Sequence, residues 1–248
     1  MESLWLRNNR PTRFTDPSGH YACFVEDDDG NCRNPVSVLS EYGISTHGLT
    51  ENQRWDVVVA ATRSGEKLYL EFGTSKDFKS PVDAFRQSHG NISITADPSI
   101  KYCETVGSRI RCGKPALYMT AILHEFGHVL DVHSGLYASN LDPYYDSEGN
   151  PVDGGYSWIR TSVGFKCVDS WKCMEHPPSL GYWDGEEYIY DQTSWNAKVE
   201  QWADLYMNWV LDGTVDSYHG FAQNAAGDAR RDYMIQQFDW LFENRYLP

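Results

Sequence analysis

Within "ALYMTAILHEFGHVLDVHSG", residues 116–135, His124, Glu125 and His128 fall in the pattern HExxH. That spacing constrains the chain more than any other feature. On a helix, positions i and i+4 lie on one face, a turn apart. Two imidazoles so placed can grip one metal ion, and the glutamate beside them can reach a water there without ligating. The flanking Ala121, Ile122, Leu123, Phe126, Val129 and Leu130 are uncharged, as a helix buried around a polar active face requires. Pro115 suits the first turn of such a helix, which is predicted to run to about His133.

An apolar helix needs cover. The 248 residues include nine Trp, sixteen Tyr and ten Phe, enough to bury one sizeable core. Thr50 and Gln53 form a capping box that starts a helix, and Trp55, Val58 and Val59 carry it to about Thr62. Residues 35–47 ("VSVLSEYGIS"), "KLYLEF" (67–72), "NISITA" (91–96) and "SRIRC" (108–112) read as strands. "NAKVEQWADLYMNWVLDG" (196–213) is a strong helix with Val199, Trp202, Ala203, Tyr206, Trp209 and Val210 as its apolar stripe and Gly213 as its stop. A last helix covers about Asp228–Tyr246, burying Tyr233, Ile235, Phe238, Leu241 and Phe242.

Residues 1–34 read as a polar linker, and 35–248 as one domain. Residues 134–195 read as irregular, and a loop region of that length is usually functional or stapled. Asp142, Asp146, Glu148 and Asp153 around Gly149 offer oxygen ligands, but their spacing is too irregular for an EF-hand. A solvated hairpin is the simpler reading than Ca2+.

Six cysteines fall in three local pairs, Cys23/Cys32, Cys103/Cys112 and Cys167/Cys173. Fifteen connectivities are possible, and the local one is the natural first expectation. Disulfides persist in oxidising compartments, so the chain reads as secreted or delivered. No apolar run is long enough for a signal peptide or a membrane span, so export would be directed from outside the chain. The net charge of −14 and pI near 4.9 disfavour a nucleic-acid partner. "RFTDPSGHY" (13–21) resembles the short motif that closes Rhs/YD-repeat cores in large bacterial proteins. That resemblance implies a C-terminal toxic or processing module of a larger parent polypeptide.

"TAILHEFGHVLD" is similar to the active-site helix of zincin metallopeptidases. The resemblance implies an α+β fold: a small mixed sheet, the active-site helix and backing helices, here with a long irregular, disulfide-stapled insertion. It implies one catalytic zinc between His124 and His128, Glu125 as general base and a peptide or protein substrate. Zinc needs a third protein ligand and an open position. "Glu200-Gln-Trp-Ala-Asp204" is ExxxD, and two carboxylates at i and i+4 share a helix face. In the gluzincin branch such a glutamate ligates, while the aspartate holds a zinc-binding histidine from behind. Glu200 lies 72 positions beyond His128, farther than in the best-known members.

Two alternatives stay open. The metzincin pattern HExxHxxGxxH would use a third histidine. Asp131 stands at its glycine position, Ser134 at its histidine position and His133 one residue early, with Met174 as the candidate methionine turn. Asp204 could itself ligate. The oxyanion of the reaction needs a further donor, for which Tyr206, Tyr218 and His219 are candidates. A reading from another class is a non-enzymatic binding module, whose aromatics in "YYDSEGNPVDGGYSWIR" and "SLGYWDGEEYIYDQ" contact sugar or protein while the metal site is inert or structural.

Overall fold

The computed structural model describes residues 33–135, 144–145, 151–152, 195–212, 225–244 and 247. Asn34 accepts from the Val36 amide at 2.8 Å and Pro35 fills the first turn, so the chain enters directly into α1 (Pro35–Glu41). This corrects the short strand expected at "VSVLSEYGIS" within 35–47: only β1 (Ile44–His47) is extended there. The Thr50 capping box forms, with Gln53 N donating to Thr50 Oγ1 at 3.3 Å and Thr50 N to Gln53 Oε1 at 2.9 Å.

The helix it opens, α2 (Glu51–Phe72), runs well past Thr62. "KLYLEF" is therefore its C-terminal end and not a strand. Leu68 and Phe72, four apart, bury together, and Lys67 pairs with Glu71 at 2.9 Å across one turn. Gly65 does not break this helix. A Cβ there would lie 2.4 Å from the Pro81 carbonyl oxygen, so its lack of a side chain lets α3 (Pro81–His89) close on α2.

The sheet contains β1, β2 (Ile92–Ala96), β3 (Cys103–Val106) and β4 (Arg109–Cys112) in the order β1-β2-β4-β3. The pairs β1–β2 and β2–β4 are parallel, and β3 is antiparallel on β4. The parallel β1–β2 pair needs a crossover connection, which α2 and α3 provide. β2 and β4 form as the sequence predicts, whereas β3 was not foreseen. It belongs to a two-residue hairpin in which Gly107 takes φ +63°, the left-handed value that the first position of such a loop favours. Cys103 and Cys112 face each other across this hairpin and are disulfide-bonded.

Pro115 sits in a 3₁₀ turn (Lys114–Ala116) just ahead of α4 (Met119–His133), rather than within its first turn. Among the described residues, α5 (Trp195–Leu211) and α6 (Ala225–Glu243) follow. Ile92, Ile94 and Ile110 bury one face of the sheet. Between α2, α5 and α6, Phe72, Trp209, Phe238 and Phe242 interlock, with Phe72–Phe238 and Trp209–Phe238 centroids 5.4 and 4.8 Å apart. Ile235 is only partly buried, while Tyr233, Phe238, Leu241 and Phe242 are buried as expected.

The architecture is mixed helix with a small mixed sheet, consistent with the α+β expectation. Within the segment read as a solvated hairpin, β5 (Tyr144–Tyr145) and β6 (Pro151–Val152) pair antiparallel. No described helix is long and apolar enough to cross a membrane. The repeat-core-like motif at 13–21, Cys23, Cys32, Cys167, Cys173, Asp142, Asp146, Glu148, Asp153, Met174, Gly213, Tyr218 and His219 lie outside the described residues.

Candidate metal centre

Helix α4 buries Ile122, Leu123, Phe126, Val129 and Leu130, a stripe at helical spacing. His124 and His128 stand half-buried a turn apart, their rings nearly perpendicular with centroids 4.8 Å apart. The partner across the site is α5. It comes close because residue 127 is glycine: a Cβ there would lie 2.7 Å from Ala203 Cα. The Trp202 indole Nε1 donates to the Gly127 carbonyl oxygen at 3.0 Å and fixes that approach. With Trp202, Ala203, Tyr206, Trp209 and Val210 buried, Glu200 and Asp204 are left facing the histidines.

His124 Nδ1 donates to Asp204 Oδ1 at 2.7 Å. That bond keeps a proton on Nδ1 and turns Nε2 toward the other two groups. The same Nε2 lies 3.1 Å from His128 Nε2 and 3.2 Å from Glu200 Oε2, and His128 Nε2 lies 3.6 Å from that oxygen. His124, His128 and Glu200 thus converge, one ligand atom each, within 4.8 Å of one another, and could hold a metal ion. Among the described residues the group offers three donors. Glu200 keeps 48% of its side chain exposed, so solvent reaches the group.

The three groups also shift one another's proton affinity. Burial alone would depress the His124 pKa, but the charge of Asp204 and the hydrogen bonds that Asp204 and Glu200 accept from the ring outweigh it and hold it well above its ordinary value. Hydrogen bonds from His124 and His128 pull the Glu200 carboxyl far below the usual carboxylate range, against the opposing effect of burial.

Glu125 is buried, 5% exposed, and its Oε2 accepts from Thr105 Oγ1 on β3 at 2.6 Å. His133 stands apart from the metal group. Its Nδ1 bonds the Ser88 carbonyl oxygen at 2.7 Å and ties the end of α4 to the end of α3. Helix α4 continues unbroken through Asp131, which is why the metzincin alternative does not assemble. Asp204 likewise sits behind His124 and not among the three donors.

Tyr206 is a correction. It is fully buried against His89, Trp209 and Phe238, and burial pushes its hydroxyl pKa up. An oxyanion donor must face the cleft, and a side chain held in this core does not. Thr105 and Trp202 were missed as parts of the site. Both carried a signal: Cys103 and Thr105 alternate with Glu104 and Val106 ahead of Gly107, and Trp202 lies between Glu200 and Asp204 on the stripe side of its helix.

Comparison with protein-family models, with curated proteins and with solved structures finds no match for this chain.

Proposed function

We propose that this chain is a zincin-type, zinc-dependent peptidase that hydrolyses peptide bonds in a peptide or protein substrate. One observation carries the reading: the Nε2 atoms of His124 and His128 and one Glu200 carboxylate oxygen converge at separations of 3.1, 3.2 and 3.6 Å while Asp204 accepts from His124 Nδ1 behind them. With the proton off each Nε2, the three atoms are electron-pair donors to one cation. Ligand atoms about 2.0–2.1 Å from a tetrahedral centre are about 3.4 Å apart, and the separations of 3.1, 3.2 and 3.6 Å straddle that value. Two imidazoles and one carboxylate form a donor set that catalytic zinc favours, with a position left over.

Zinc, when bound, supplies Lewis acidity, lowering the pKa of a water to about 7 and polarising a carbonyl. Glu125 takes the proton of the attacking water on its carboxylate and passes it to the leaving amine nitrogen. Asp204 holds His124 in the tautomer that presents Nε2. The burial of Glu125 keeps competing solvent from the proton it carries. The Cys103–Cys112 disulfide fits an oxidising compartment, so secretion or delivery as the toxic or processing module of a larger protein belongs to the same proposal.

The test is hydrolysis of a quenched-fluorescence peptide library by purified, zinc-loaded protein. Wild type cleaves, and Glu125→Gln loses at least about 100-fold in kcat while keeping its zinc. Full activity in Glu125→Gln would sink the mechanism.

A further inference from the structure

Thr105 lies on the edge strand and makes the bond to Glu125 described above, yet the catalytic reading does not use it. On β3, Cys103 and Thr105 are half-buried while Glu104 and Val106 are exposed, so the two share one face, as alternate strand positions must. Helix α4 packs on that strand. Both inward positions are fixed from the neighbouring strand. Cys103 is covalently tied to Cys112, and Thr105 pairs with Ile110, which is fully buried. A β-branched side chain has few χ1 choices, so a held strand limits the directions open to the Thr105 hydroxyl, and the one it takes meets Glu125.

We propose that Thr105 is a positioning residue for the general base: its hydroxyl holds Glu125 Oε2, fixes the carboxylate plane and leaves Oε1 to take the proton. This rests on the reading of Glu125 as that base. A glutamate has a soft terminal torsion, and a buried carboxylate with no partner would turn toward any donor in reach. Among the described residues no other side chain is bonded to the Glu125 carboxylate. The bond length falls in the range of a hydroxyl donating to a charged oxygen. The Cys103–Cys112 link, two residues from Thr105, holds the strand that carries it.

Two variants separate the hydroxyl from the shape it occupies. Thr105→Val keeps the branching and deletes the donor, and Thr105→Ser keeps the donor. In the full chain loaded with zinc, Thr105→Val is expected to lower kcat about 10-fold or more on the library substrate, with KM changed less than about 2-fold and one zinc retained. Thr105→Ser restores most of kcat. A second readout needs no activity. In metal-free protein, Thr105→Val and Glu125→Ala are combined in a double-mutant cycle on denaturant unfolding, with a coupling of about 10-fold in the unfolding constant. Unchanged kcat in Thr105→Val, or strictly additive effects in the cycle, overturns the proposal. A zinc-loaded wild type that cleaves no peptide sinks the peptidase reading and this role with it, and coupling in the cycle then shows that the contact itself exists.

Discussion

Trp202 Nε1 donates to the carbonyl oxygen of Gly127 at 3.0 Å, joining two helices whose contacting residues are 75 positions apart. Gly127 is one of the unspecified positions of HExxH, and Trp202 lies between Glu200 and Asp204. The bond therefore sets how far the two halves of the metal group stand from each other.

Gly127→Ala tests that spacing. Alanine favours a helix by about 1 kcal/mol over glycine. The new Cβ would meet Ala203 Cα at 2.7 Å, and backbone in a packed core cannot yield cheaply. The steric cost wins, giving a net loss of about 1–3 kcal/mol in denaturant unfolding together with weaker metal binding.

Asp204→Ala removes the acceptor of the His124 Nδ1 proton while keeping all three ligand atoms. Metal affinity is expected to fall about 10–100-fold, measured by competition with a chromophoric chelator. Affinity equal to wild type would show that His124 is oriented by something else.

His89 gives the fold an acid limit. Desolvation pushes its pKa from 6.5 down to about 3, opposed by the bond to the Phe85 carbonyl oxygen, with the charge of His133 pushing the same way as burial. Phe85, Phe126 and Tyr206 surround the ring. Because the folded pKa lies below the unfolded one, the unfolded chain binds the extra proton, and stability rises with pH. The contribution is present above about pH 6.5 and is lost as pH falls toward 3. In His89→Phe, unfolding measured between pH 7 and 4 should lose this acid-dependent component, which amounts to a few kcal/mol in wild type.

Replacing both Cys103 and Cys112 by alanine opens a loop with a sequence separation of 9. The chain-entropy expectation for such a loop is about 2.5 kcal/mol of stability, read in chemical denaturation. Zinc content should stay at the wild-type level, because no ligand is on the hairpin.

The two halves of the metal group were legible because helical periodicity puts i and i+4 on one face, so HExxH and ExxxD each announce a shared surface. Their meeting was an expectation resting on resemblance, and the geometry brings them together. Local patterning failed where packing decided. "KLYLEF" alternates like a strand, yet the segment stays helical, and Gly65 ahead of it serves contact with Pro81. The Asn34–Pro35 start of α1 was readable as a cap and first turn, but the apolar run after it suggested a strand. Tyr206 was a plausible donor only until α5 turned it into the core, since a stripe shows which side is apolar and not how deep each hydroxyl lies.

The most direct measurement is the zinc content of the purified chain after dialysis against a weak chelator, for wild type and for Glu200→Ala. One zinc per wild-type chain, lost in Glu200→Ala and kept in Glu125→Gln, is the predicted result. Full zinc in Glu200→Ala, or none in wild type after zinc loading, would contradict a centre built from His124, His128 and Glu200.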